Sequence, residues 1–230
     1  MIRMLLGLLI LFVIGGAAMA QDGPQVEITA EDGLTLIGDF YPAESDGSAV
    51  LLLHMLGSNR GAWEPFIAPL QEAGFHVLAA DMRGHGATGG SRDWAAAETD
   101  IQSWFDWLKA QDNVTSVAVV GGSIGGNMAL IGCANEPDCT TAIALSPGLN
   151  YSGVMPESAV VEGLAERSVL LVGARNDGRV ADDIIQMATN TPGTAGLMLY
   201  PGRAHGTNLF RDQGNAFINL LITWLNGPQT

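Results

Sequence analysis

In the stretch VAVVGGSIGGNMAL, Val117 to Leu130, a single hydroxyl, Ser123, is surrounded by Gly121, Gly122, Gly125 and Gly126. A serine hydroxyl is a weak nucleophile at neutral pH unless a base takes its proton and a third group orients that base. Only four histidines could serve as the base, namely His54, His76, His85 and His205. Gly121-Gly122-Ser123-Ile124-Gly125 fits the pattern G-x-S-x-G, which carries meaning only where a strand turns sharply into a helix. Such a turn crowds neighbouring backbone together, so small residues there would serve as clearance for the serine. A glycine-rich turn built for packing or for phosphate is the alternative reading.

The elements around Ser123 supply that context. After an opening pair of alternating segments about Asp32 and Gly33, expected as a β-hairpin, apolar strand-like runs alternate with helical patterns. The strand runs are AVLLLHM, FHVLAAD, TSVAVVGG, TTAIALS, SVLLVGA and GLMLYPG. Continuous apolar runs are expected of parallel strands buried on both faces. The helical segments are AWEPFIAPLQEAG, WAAAETDIQSWFDWLKAQ, IGGNMALIGCA, VADDIIQMATN and LFRDQGNAFINLLITWLNG. We therefore expect an α/β fold, with a mostly parallel sheet, an N-terminal antiparallel hairpin and helices on both faces. In such sheets the ligand site lies beyond the C-terminal ends of the strands. His54, Ser123, Asp177 and His205 all fall there.

This arrangement resembles the α/β-hydrolase fold superfamily across essentially the whole of residues 21–230. The resemblance implies that Ser123 is the nucleophile, Asp177 in LLVGARNDGRV the acid, and His205 in YPGRAHGTNLF the base, following in the order expected after later strands. The loop HMLGSNRGAW resembles the family's oxyanion-hole loop, although Met55 stands where many relatives have glycine. Backbone N–H groups of Ile124 and of Leu56, or alternatively Met55, are the implied oxyanion donors. His54 is expected to orient that loop, His76 to be structural, and His85, in DMRGHGATGG, to be architectural. Asp182 and Asp183 read as acids of a helix's first turn, and Asn176 lacks the charge the acid needs. Trp63 is a candidate for lining the substrate pocket, while Trp104 and Trp107 read as packing residues. Only a short irregular connection, with no large cap, separates Ser146 from Ser168.

The ends and the composition set further expectations. Residues 1–20 combine Arg3, an uncharged apolar run and Ala18-Met19-Ala20, the makings of a signal peptide. This implies export to a periplasmic or extracellular space; an uncleaved membrane anchor is the alternative. In an oxidising compartment Cys133 and Cys139 are expected to pair, with two buried thiols as the other reading. A net charge of −14 with Lys109 as the sole lysine argues against nucleic acid and anionic lipid as partners. No cofactor or metal is called for, and a monomer suffices. The expected activity is a serine esterase acting on small to medium carboxylic esters through an acyl-enzyme. A peptidase, amidase or thioesterase on the same fold, and a catalytically silent scaffold, are the alternatives.

Overall fold

The structure is a computed structural model that describes residues 23–165 and 167–227. The expected signal peptide, residues 1–20, lies outside the described residues. The hairpin is present: β1 (Gln25–Thr29) pairs antiparallel with β2 (Thr35–Tyr41). Gly33 takes a positive φ of 86° in its turn, and Asp32 accepts the Leu34 N–H at 3.2 Å. Six further strands follow: β3 (Gly47–Leu53), β4 (His76–Ala80), β5 (Val114–Gly122), β6 (Cys139–Leu145), β7 (Ser168–Ala174) and β8 (Ala195–Tyr200). The sheet runs β1-β2-β4-β3-β5-β6-β7-β8, antiparallel through the β2–β4 pair and parallel from there onward.

Among the described residues five helices cover the sheet: α1 (Glu64–Glu72), α2 (Trp94–Lys109), α3 (Ile124–Asn135), α4 (Val180–Asn190) and α5 (Asn208–Asn226). Alternation along each strand divides the core in two. Leu51, Leu53, Val117, Val119 and Leu171 pack with α2, α3 and α4, whereas Val50, Leu52, Val120, Ile143 and Val172 pack with α1 and α5. Both faces of the central strands are buried, which is why their sequences read as unbroken apolar runs.

Two elements depart from the pattern reading. Helix α5 is interrupted at Gly214, whose φ of 60° and ψ of −149° are not helical. The loose connection between β6 and β7 contains one π-helical turn, Ala159–Gly163. Among the described residues that connection adds no separate cap, and no helix is long and apolar enough to cross a membrane.

Candidate active site

Strand β5 leads directly into α3 through Ser123, whose φ of 54° and ψ of −122° place it outside the helix it precedes. A non-glycine residue held there carries strain of about 1–3 kcal/mol, and the surroundings impose it. The Ser123 N–H donates to the Leu145 carbonyl at 2.7 Å, while its own carbonyl accepts from Gly126 and Asn127 at 2.8 and 3.2 Å. The glycines supply clearance: a Cβ on Gly121 would overlap the Gly125 carbonyl, and one on Gly125 would overlap the carbonyls of Leu53 and His54. The first N–H groups of α3 have no intrahelical partner and sit at the positive end of its dipole. Ile124 provides the first of them.

The loops after β7 and β8 bring Asp177 and His205 to the same place. His205 Nε2 lies 2.8 Å from Ser123 Oγ, and His205 Nδ1 lies 2.6 Å from Asp177 Oδ2. The two loops are joined where the Asn176 N–H donates to the Gly202 carbonyl at 3.0 Å. Beyond the imidazole, the Gly206 N–H donates to Ser146 Oγ at 3.0 Å. Ser146 is fully buried, has a φ of 53°, and donates its own N–H to the Val172 carbonyl at 2.6 Å. Tyr151 stands edge-on to the His205 ring at 6.3 Å and donates its hydroxyl to the Ser146 carbonyl at 3.2 Å. Burial, with the charges of Asp177 and Asp183, pushes the Tyr151 phenol up to about 12. It is therefore a neutral donor at ordinary pH.

The loop after β3 is fixed at both ends. The Met82 N–H donates to His54 Nε2 at 3.1 Å, so the ring proton sits on Nδ1, which donates to the Met55 carbonyl at 2.8 Å. Burial lowers the His54 pKa to about 4, keeping the ring neutral. Because a trans peptide points its C=O and N–H in opposite directions, this bond turns the Leu56 N–H away from His54. The Met55 side chain packs between β5 and the His205 loop; a Cβ on Gly122 would meet it at 3.1 Å, and one on Gly206 would overlap its sulfur. At the far end, Arg60 pairs with Asp39 at 2.7 Å and also with Asp81, a buried carboxylate that accepts the N–H groups of Arg60 and Ala87 at 2.7 Å each.

Most of the other residues singled out in the sequence hold the framework together. His85 donates through Nδ1 to the Arg83 carbonyl at 3.1 Å. Arg83 itself makes two 2.6 Å bonds to Asp100 and one of 2.8 Å to Asp32, so the DMRGHGATGG loop is anchored to α2 and to the hairpin turn. His76 bridges Ala43 and Asn113, consistent with a structural place. Asp182 and Asp183 occupy the first turn of α4. Trp63 requires a correction. It ends the 3₁₀ turn Arg60–Trp63 that feeds α1, and that turn directs the ring inward, where it is fully buried edge-on to Phe210. It offers no face to a ligand. Trp104 is buried and Trp107 packs on Phe40, as expected. Cys133 and Cys139 are joined by a disulfide.

Three residues near the site escaped sequence reasoning: Ser146, Tyr151 and Asn127. Asn127 lies one helical turn after Ser123 and is fully buried. Its amide bonds both backbone groups of Gly148 and the Val154 carbonyl, at 2.8 to 3.0 Å, and so ties the loop after β6 to α3. A signal for Asn127 existed, since it is the one amide in an otherwise apolar and glycine helix interior. Nothing in the sequence marks Ser146 beyond its place at a strand end.

Residues 48–194 match the sequence profile of the alpha/beta hydrolase fold. A polyketide transferase, GrgF, from a Penicillium species is 33% identical over 136 residues, covering 56% of this chain and 46% of that protein. The chain spans about half or less of the length of the curated relatives it matches. Among solved structures, an esterase from Pyrococcus furiosus superposes with a TM-score of 0.75 at 21% identity, over 88% of this chain and 89% of that one. An esterase from Exiguobacterium antarcticum does so with a TM-score of 0.71 at 18% identity, over 87% and 99%. A strained serine between a parallel strand and a buried helix, with the later loops folded back over it, is thus set in a sheet of known type: the chain belongs to the alpha/beta hydrolase fold family.

Proposed function

We propose that the chain is a serine hydrolase that cleaves small to medium carboxylic esters through an acyl-enzyme. The observation that carries this reading is the unbroken hydrogen-bonded row from Ser123 Oγ through both nitrogens of His205 to Asp177. In the proposed reaction, Ser123 Oγ attacks the acyl carbon as its proton passes to His205 Nε2, and Asp177 stabilises the imidazolium. The oxyanion is held by the N–H groups of Ile124 and Leu56. Leu56 is favoured over Met55 because His54 holds the Met55 carbonyl and so fixes the direction of the Leu56 N–H. Each such donor is worth roughly 3–4 kcal/mol of barrier lowering in enzymes where one has been removed. Protonated His205 gives its proton to the departing alkoxide oxygen, and water, activated by the same imidazole, then releases the acid.

Esters are favoured as substrates by the esterases that share the fold, and a modest acyl size by the short connection from Pro147 to Arg167, which leaves the site open. The likeness to a polyketide transferase favours a second reading, transfer of the acyl group to an acceptor other than water. An exported monomer fits the chain's charge and its disulfide.

The test is labelling by a fluorophosphonate probe together with hydrolysis of p-nitrophenyl esters from acetate to palmitate. Labelling lost in Ser123→Ala, with turnover falling as the acyl chain lengthens, is expected. A folded, unlabelled wild-type protein would leave the silent scaffold, and equal labelling of the variant would rule out Ser123 as the nucleophile. Faster cleavage of amides or thioesters than of matched esters would move the assignment to those classes.

A further inference from the structure

Beside the imidazole lies an open cavity of about 450 Å³ between the loop after β6 and the loop leading into α4. Its walls include Leu149, Tyr151 and Val180 as carbon surface, with Asp177, Arg179 and His205 at polar positions. It meets the hydrogen-bonded row at His205 and Asp177, and neither Ser123 nor the oxyanion-side residues Met55, Leu56 and Ile124 line it. That one-sidedness assigns the cavity a role. In a tetrahedral adduct on Ser123 the oxyanion must face Leu56 and Ile124, while the oxygen that leaves must face His205 Nε2 to receive its proton. A group attached to the leaving oxygen therefore extends along the imidazole, and the imidazole borders this cavity.

We propose that this cavity is the site for the alcohol portion of the ester, and that it takes a bulky, ring-sized alcohol rather than methanol or ethanol. The assignment rests on the serine-hydrolase reading. Size is the first reason: the volume lies in the range of pockets that enclose whole small ligands and would leave most of itself filled with water around an ethyl group. Preorganisation is the second. One wall is held in place by the Asn127 amide, which binds Gly148 and Val154 on either side of Tyr151, and by the Asp183 carboxylate, which accepts the Leu149 N–H at 3.2 Å. The tyrosine ring itself is fixed by its bond to Ser146. An apolar ring can thus dock against Tyr151, Leu149 and Val180 without first ordering the wall that receives it. The chemistry balances as in the parent reaction: the acyl–oxygen bond breaks, the electron pair stays on the alcohol oxygen, and the proton comes from His205 Nε2.

The experiment uses acetate esters of primary alcohols of similar acidity, ethyl acetate and cyclohexylmethyl acetate. Both form the same acetyl-enzyme, so kcat/KM differs only through acylation and the alcohol site. Burying the ring predicts a kcat/KM about tenfold or more higher for the cyclohexylmethyl ester. By microscopic reversibility, cyclohexylmethanol should also intercept the acetyl-enzyme more efficiently than ethanol at equal concentration, read as the ratio of transesterification to hydrolysis. Arg179→Trp, at a largely exposed side chain on the cavity wall, should lower both preferences by narrowing the space. Ester turnover and Ser123 labelling with both ratios near one would overturn the cavity assignment alone. Absence of turnover and of labelling would overturn the serine-hydrolase reading beneath it.

Discussion

Replacing Ser146 separates strain from positioning at His205. The residue holds a left-handed φ of 53°, and its hydroxyl accepts the N–H of Gly206, the neighbour of His205. Ser146→Ala keeps the unfavourable φ and strips the acceptor, leaving a buried N–H unpaired, at a cost of about 1–3 kcal/mol. Ser146→Gly strips the same acceptor but relieves left-handed strain of about 1–2 kcal/mol, partly offset by roughly 0.5–1 kcal/mol of added chain entropy. The glycine variant should therefore be the more stable of the two by up to about 1.5 kcal/mol, measured by urea unfolding. Activity should not follow stability. Both variants release Gly206, letting the imidazole drift from Ser123, and a displacement of an ångström at a reacting centre costs on the order of 100-fold. We expect kcat to fall about 10- to 100-fold in both, with KM little changed. A glycine variant with wild-type kcat, or kcat values that rank with the unfolding free energies, would refute the positioning argument.

Three further outcomes are expected. The buried His54 has its pKa lowered from 6.5 to about 4, so between those values the unfolded chain binds a proton that the folded one does not. Stability should fall as the pH drops from about 6.5 to 4, by up to roughly 3 kcal/mol from this residue. His54→Gln, which cannot titrate but can still accept from Met82 and donate to Met55, should flatten that slope in unfolding curves; an unchanged slope would count against the neutral buried ring. Asp177→Asn should leave the fold intact but lower kcat on the order of 10⁴-fold, as the loss of an orienting carboxylate does elsewhere; a loss below about tenfold would remove Asp177 from the row. Closing the short loop between Cys133 and Cys139 restricts the unfolded chain by roughly 2 kcal/mol. Cys133→Ser with Cys139→Ser should lower stability by about that amount while kcat stays within twofold, since the pair lies at the end of α3 remote from Ser123.

The parts of this molecule that could be read from the sequence are those whose cause is local. Burial of a parallel strand on both faces shows as an unbroken apolar run, and the strand-to-helix turn at Ser123 shows as glycines because backbone must pass within contact distance there. The order of Ser123, Asp177 and His205 along the chain follows from which strands precede them. The break in α5 at Gly214 also had a local cause, a glycine inside a helical pattern, and helical spacing on both sides hid it. Trp63 departs from expectation for the opposite reason, being fully buried. Its nearness in sequence to the loop after β3 says nothing of the direction in which a 3₁₀ turn sends its last side chain, and that direction is set by the space beside Phe210.

What could not be read is how the few cations are used. In a chain with 24 carboxylate residues and ten cationic ones, the simplest expectation is that Lys and Arg are solvated surface groups. Four are instead spent on joining segments distant in sequence. Arg60 ties the loop after β3 to Asp39 and Asp81, and Arg83 ties the loop after β4 to Asp100 and Asp32. Lys109 reaches the buried Glu136 at 2.8 Å, and Arg167 donates to the carbonyls of Cys133, Ala134 and Glu136 at the end of α3 and of Gly163 in the π-helical turn. The surplus of acids makes such pairings impossible to choose from sequence, because every cation has many equivalent partners until the sheet order is known. The same ambiguity covers Ser146, one of many small polar residues until β6 and β8 bring it beneath Gly206. The members of the Ser123–His205–Asp177 row were therefore legible as residue types, while the polar framework that holds them at hydrogen-bonding distance became visible only with the fold.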